Sequence, residues 1–262
     1  MIARALSVVA LTAALLAWPP ASRATGDPAR FAYQQRPGSQ VPLDAVLRDE
    51  TGQVVSLGAL IGGRPAILAL GYFHCPNLCG VLRTDMTDAL AGSGLHASAD
   101  YTLIVLSIDP DETASDAAAA HRQDAARMPA PAEAAAWHYL TGSADVLHAV
   151  EQAVGFRARF DPALQQFLHP AGLVILTARG VVSSYLLGVG YRPGDLHAAV
   201  TRAGESGIAK AALPVLLLCF HYDPATGRYT LAVTRLVQLA CALTVFTVGG
   251  TIALALRRER RR

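Results

Sequence analysis

Two cysteines, Cys75 and Cys79 in Cys75-Pro-Asn-Leu-Cys79, have the spacing that does chemistry. They follow an apolar run, Ala66 to His74, and precede a helical pattern from Gly80 to Leu90. Thiols four residues apart at a helix start lie on one face, one turn apart. A helix N-terminus favours the thiolate through its dipole. Thiolates bind Cu(I) and Zn(II) and are also redox nucleophiles, so the pair suits a soft metal or a disulfide. The bland alternative is two buried core cysteines.

A metal site needs a third donor, and the chain has eight histidines. His74 adjoins Cys75, but successive side chains tend to point apart. His169, in Phe167-Leu168-His169-Pro170, falls in a loop entering an apolar strand, where an α/β fold can return it to the first strand's end. His221 follows Cys219 in Cys219-Phe220-His221. His96, His121, His138, His148 and His197 fall in polar or helical stretches and read as surface or packing residues.

The elements that must position these residues follow from the pattern. Ala45 to Leu57 reads as a hairpin turning at Thr51-Gly52. Arg64 to Tyr72 and Tyr101 to Ile108 read as buried strands. Gly80 to Leu90 reads as a helix with Val81, Leu82, Met86 and Leu90 at helical spacing. Met86, a soft donor in principle, reads as core. Thr113 to Met128 is an alanine-rich helix stopped by Pro129 and Pro131. Trp137 to Leu140 is a short strand, and Ser143 to Val154 a helix with Ser143 as N-cap. Ala171 to Thr177 and Val181 to Leu187 form a second hairpin around Arg179-Gly180, and Asp195 to Ala203 closes the domain. Strands alternating with helices, then a hairpin and helix, imply an α/β domain with a mixed central sheet.

The ends of the chain set its location. Arg4, an apolar run from Ala5 to Ala17 and Ser22-Arg23-Ala24 read as an export signal over residues 1–24. Leu236 to Leu256 has no charged side chain over 21 residues, long enough to span a bilayer, and Arg257 to Arg262 carries five arginines, which places that end in the cytoplasm. The expected layout is a signal at 1–24, a spacer at 25–41, the domain at 42–203, a membrane-proximal segment at 204–235, a transmembrane helix at 236–256 and a basic tail at 257–262. The domain then faces the periplasm. Setting aside the arginine-rich ends, 15 basic and 19 acidic residues leave a net charge of −4 against +2 for the whole chain, so nucleic-acid binding has no electrostatic footprint. With four cysteines in 262 residues a disulfide-built scaffold is not expected.

Phe73-His74-Cys75-Pro76-Asn77-Leu78-Cys79 resembles the copper-binding segment of SCO/SenC proteins. Ser107-Ile108-Asp109-Pro110 resembles their second motif, and His169 falls where that family's histidine ligand does. The resemblance covers roughly residues 40–203. It implies a thioredoxin-like fold and a copper site of Cys75, Cys79 and His169. It also implies a periplasmic copper metallochaperone that assists assembly of the CuA centre of cytochrome c oxidase, with the oxidase subunit carrying CuA and a periplasmic copper donor as partners. The chain departs from the family where Leu168 and Pro170 flank the histidine. The C-terminal span resembles a subgroup with a Cys-Phe-His-Tyr-Asp-Pro segment before it, here Cys219 to Pro224. Two thiolates and an imidazole suit Cu(I) and accept Cu(II) with an added ligand. Cys219 and His221 read either as a second, weaker copper or partner site or as membrane-proximal packing; Cys241 lies within the span. Asp109 reads as orienting the copper loop, contacting a partner, or capping the helix that begins near Pro110. Two other readings share the same thiols: a thiol-disulfide oxidoreductase that reduces the oxidase's copper-site cysteines, and a copper-dependent redox sensor.

Overall fold

The computed structural model describes residues 33–75, 79–97, 99–128, 131–162 and 165–211, with short stretches at 240–244, 247–251 and 257–258. The signal at 1–24 lies outside the described residues, as do Cys219 and His221 and most of 236–256. Residues 240–244 and 247–251 are helical. Among the described residues no helix is long and apolar enough to cross a membrane.

The elements run β1 (Val46–Arg48), β2 (Val54–Ser56), α1 (Leu57–Ile61), β3 (Ala66–Gly71), α2 (Cys79–Ser93), β4 (Thr102–Ser107), α3 (Ala114–Ala125) and α4 (Pro131–Ala134). They continue with β5 (Trp137–Leu140), α5 (Ala144–Val154), β6 (Arg159–Asp161), β7 (Gln166–Leu168), β8 (Gly172–Leu176), β9 (Val182–Leu187) and α6 (Pro193–Gly204). The five-stranded sheet has the order β5-β4-β3-β8-β9. β3 pairs parallel with β4 and antiparallel with β8, so the sheet is mixed, as expected.

Side-chain alternation builds two cores from one sheet. Leu68, Leu70, Ile104, Leu106 and Val174 face one cluster, which α1 and α5 cover through Leu57, Ile61, Leu147, Val150 and Val154. Ile67, Ala69, Leu103, Val105 and Ile175 face the other, under α2, α3 and α6. Met86 is fully buried in this second cluster, a core residue as read. β3 and β4 are near-continuous apolar runs because helices cover both faces.

The segment read as a spacer is built into the domain from Tyr33 onward. Gln34 N donates to Gly155 O at 2.8 Å, Val41 N donates to Gly180 O at 3.0 Å, and Val41 is fully buried. The Tyr33 ring meets Phe156 and Tyr185 edge-on at 5.3 and 5.4 Å. Three elements were not expected: α1, capped by Ser56 and ended by Gly62 at φ 57°, the single turn α4, and the β6–β7 hairpin.

Candidate metal centre

The central position of β3 explains how distant residues meet. On its parallel side Gly71 pairs with Ser107, and Ile108 N donates to Gly71 O at 2.8 Å, so the Ser107–Asp109 motif runs beside Tyr72–His74. On its antiparallel side Ala69 pairs with Leu173. Each step back from Leu173 advances one step past Ala69, which brings His169 level with the turn that follows β3. The contacts agree: the His169 ring meets Tyr72 edge-on at 5.9 Å and lies tilted on Phe156 at 5.7 Å.

His169 therefore stands at the end of the strand whose continuation carries Cys75. Cys75 is half-buried and packs on the same apolar cluster as Tyr72 and Phe156. Cys79 opens α2, and its side chain lies outside what the structure describes. The next turn of α2 supplies Leu82 and Arg83 to a small cleft also lined by Tyr72, Phe73 and His169. Its volume of about 20 Å³ is room for one water-sized guest. Among the described residues, no three His, Cys, Asp or Glu side chains form a metal-holding group.

His169 Nδ1 lies 2.9 Å from Pro170 O. A carbonyl oxygen only accepts, so Nδ1 is the donor in this contact. A ring nitrogen donating to a backbone carbonyl is a common way of orienting a metal-ligating histidine. The hairpin before it is an aromatic wall: Phe167 meets Tyr72 at 5.5 Å and Phe160 at 5.2 Å. Burial raises the Glu151 carboxyl above its ordinary range, against the pull of His148 and then His169.

The His74 ring is engaged by two carboxylates. Its Nδ1 lies 3.2 Å from Glu112 Oε1 and its Nε2 lies 3.4 Å from Asp116 Oδ1. Asp116 is held below the usual carboxylate range by hydrogen bonds from the Thr113 side chain and backbone, with His74 adding to the effect. The Asp116 carboxylate accepts from Thr113 N at 2.8 Å and from Thr113 Oγ1 at 2.6 Å, so Thr113 and Asp116 cap α3. Asp109 does not cap that helix. Its Oδ1 accepts from Asp111 N at 2.9 Å and closes a local turn.

The sequence reading missed two groups near the site. Glu112 is buried, and its Oε2 accepts from Phe73 N at 2.9 Å and from Ser107 Oγ at 2.6 Å. Its Oε1 accepts from His74 N at 2.7 Å. On α2, Arg83 Nε donates to Asp124 Oδ2 at 2.8 Å, where Tyr139 OH also donates at 2.7 Å. Both groups bridge 38 to 41 residues of chain, and only an acid close after an apolar strand hinted at Glu112. Three other histidines have ordinary partners: His96 meets Glu133, His121 stacks on Tyr139, and His197 meets Ser93 O.

Comparison with known proteins supplies the family. No curated protein matches the chain. A candidate electron transfer protein from Aquifex aeolicus VF5 superposes with a TM-score of 0.57 at 24% identity, covering 64% of this chain and 94% of that one. A SCO1/SenC family lipoprotein from Bacillus anthracis gives 0.54 at 15% identity, over 64% and 97%. Arabidopsis thaliana ScoI, crystallised with copper bound, gives 0.51 at 16% identity, over 64% and 98%. These likenesses fix the fold as that of Sco structures, the thioredoxin-like α/β fold expected. The SCO1/SenC family model matches residues 35–203, well over half of the chain, and the chain belongs to that family.

Proposed function

We propose that this chain is an exported, membrane-tethered copper metallochaperone. Cys75, Cys79 and His169 hold copper as cargo and pass it to the CuA site of cytochrome c oxidase by ligand exchange onto the acceptor's thiolates. The observation that carries the reading is the return of His169, through the antiparallel β3–β8 register, to the strand end that leads to the two cysteines. The donor set fits the cargo: two thiols and one imidazole nitrogen are a soft, three-coordinate set suited to Cu(I). A closed structural zinc site would take four protein ligands. An open set suits a protein that must release its metal. Copper in the Arabidopsis relative supports the choice of metal.

The tether rests on the sequence: Leu236 to Leu256 as the span and Arg257 to Arg262 as the cytoplasmic end, with the domain in the periplasm. Cys219 and His221, just before the span, form a second, weaker copper or partner site in this reading.

X-ray absorption on the full chain, reduced, loaded with one copper and held in detergent, tests the centre. The expected shell is two sulfurs and one nitrogen, with the nitrogen lost in His169→Ala. Two sulfurs alone, unchanged by that substitution, would remove His169 from the site. Oxidase assembly in cells carrying His169→Ala tests delivery. Loss of copper binding and assembly together supports it. Assembly that survives without copper binding makes the chain a thiol-disulfide oxidoreductase instead.

A further inference from the structure

The Glu112 carboxylate has its donors in a place that suggests a task. Its side chain is 2% exposed. A carboxylate so buried needs hydrogen bonds to replace lost water. Ser107 Oγ, Phe73 N and His74 N supply them, at 2.6, 2.9 and 2.7 Å. Ser107 in turn accepts from Asp109 N at 3.0 Å.

The two backbone donors matter most. The β3–β4 ladder ends where Ile108 N reaches Gly71 O. Phe73 and His74 lie beyond it, in a turn where, among the described residues, no strand pairs with their N–H groups. The carboxylate stands in for that strand and carries the order of the sheet through residue 74. The next residue is Cys75. His74 is anchored again through its ring, to Glu112 and to Asp116, so the peptide before Cys75 is held on two sides.

We propose that Glu112 is a positioning residue for the Cys75 thiol: it fixes the backbone of Phe73 and His74 and so sets the direction in which Cys75 leaves the chain. The proposal rests on the reading of Cys75 as a copper ligand for its metal consequence, but not for its effect on the thiol.

Glu112→Gln keeps the shape and replaces one acceptor with a donor, leaving one of the two backbone N–H groups unpaired. Glu112→Asp keeps the charge and withdraws both oxygens. In the full chain, Cu(I) affinity is measured by competition with bathocuproine disulfonate, and alkylation of Cys75 by iodoacetamide is followed by peptide mass in the metal-free dithiol. Both variants are expected to bind Cu(I) about 10–100-fold more weakly, the usual effect of losing a group that orients a ligand. Both are expected to alkylate at Cys75 several-fold faster. A variant that loses thermal stability yet keeps wild-type copper affinity and thiol reactivity would make Glu112 structural only. Should neither variant fold, hydrogen exchange on the wild-type chain decides. Phe73 and His74 amides are expected to be protected like those of β3, and exchange at the rate of open loops overturns the clamp. A wild-type chain that binds no copper, with variants that still alkylate faster, overturns the copper reading and leaves the positioning role standing.

Discussion

Removing the carboxylate of Asp124 should unfold much of this domain's margin of stability, because of what it leaves behind. Arg83 and Asp124 pair at 2.8 Å with side chains only 8% and 3% exposed. Asp124→Ala strands the guanidinium where water reaches it poorly, a loss of about 3–5 kcal/mol when one partner of a buried pair is deleted. Tyr139, fully buried, also loses its acceptor, at about 1–3 kcal/mol for an orphaned buried group. The two losses share one site and do not add in full. We expect about 4–5 kcal/mol in total, against a typical domain stability of about 5–15 kcal/mol.

The control is the charge-free pair. Arg83→Met with Asp124→Leu and Tyr139→Phe removes both ions and the orphaned hydroxyl, and such replacements are often neutral or stabilising by about 1–4 kcal/mol. Urea unfolding followed by far-UV circular dichroism gives both numbers from the midpoint and slope. A cost below about 1 kcal/mol for Asp124→Ala, the range of exposed pairs, would mean that Arg83 finds water and that its burial was overvalued. A triple variant as unstable as the single one would show that packing, not charge, sets the cost. The pair matters for the site because Arg83 lies one turn beyond Cys79 on α2 and lines the cleft with His169.

Burial first, then His121 and Arg64, hold His138 below its ordinary 6.5, against the pull of Glu50 and Asp49. The unfolded chain takes up that proton first as pH falls, so this stability is present above 6.5 and lost below it. The urea midpoint should fall between pH 7.5 and 5, and less steeply in His138→Gln; an unchanged slope in that variant would take the effect away from His138. Gly155 ends α5 at φ 65°, and a Cβ there would run into the Gln34 backbone oxygen. Gly155→Ala should cost backbone strain of about 1–3 kcal/mol plus a further roughly 1–3 kcal/mol of overpacking. Gly52→Ala, at φ 85° with nothing within 4 Å of its Cβ, should cost the strain alone. Equal urea midpoints for the two would refute the clash.

The strands were legible because they are buried on both faces: Ala66–Gly71 and Thr102–Ser107 read as apolar runs with no other explanation. Met86 was legible by helical spacing and His169 by its place before an apolar strand. α1 carries a signal that went unread, a Ser56 N-cap and a Gly62-Gly63 stop around five residues. The β6–β7 strands are three residues each, too short for alternation to mark them. Glu112 was not legible for a deeper reason. Two of its partners are backbone N–H groups, which every residue has, and the His74 ring that it also meets lies 38 residues away, so no local pattern announces the carboxylate. Asp109, the acid beside the proline, drew attention as a helix cap and instead closes a local turn.

The architecture explains why His169 and the Cys75 segment meet at the end of β3. A strand between a parallel and an antiparallel neighbour receives at one end both the exit of β4 and the entry to β8. The parallel side delivers Glu112, which holds the backbone before Cys75; the antiparallel side delivers His169 among Tyr72 and Phe156. α2 is fastened separately, through Arg83 to Asp124 on α3. The three residues read as copper donors thus sit on segments with different anchors, one a carboxylate clamp, one an ion pair and one an aromatic contact. Segments anchored apart can be loosened apart. If these residues hold copper as proposed, separate anchors let one ligand be given up while the others stay in place.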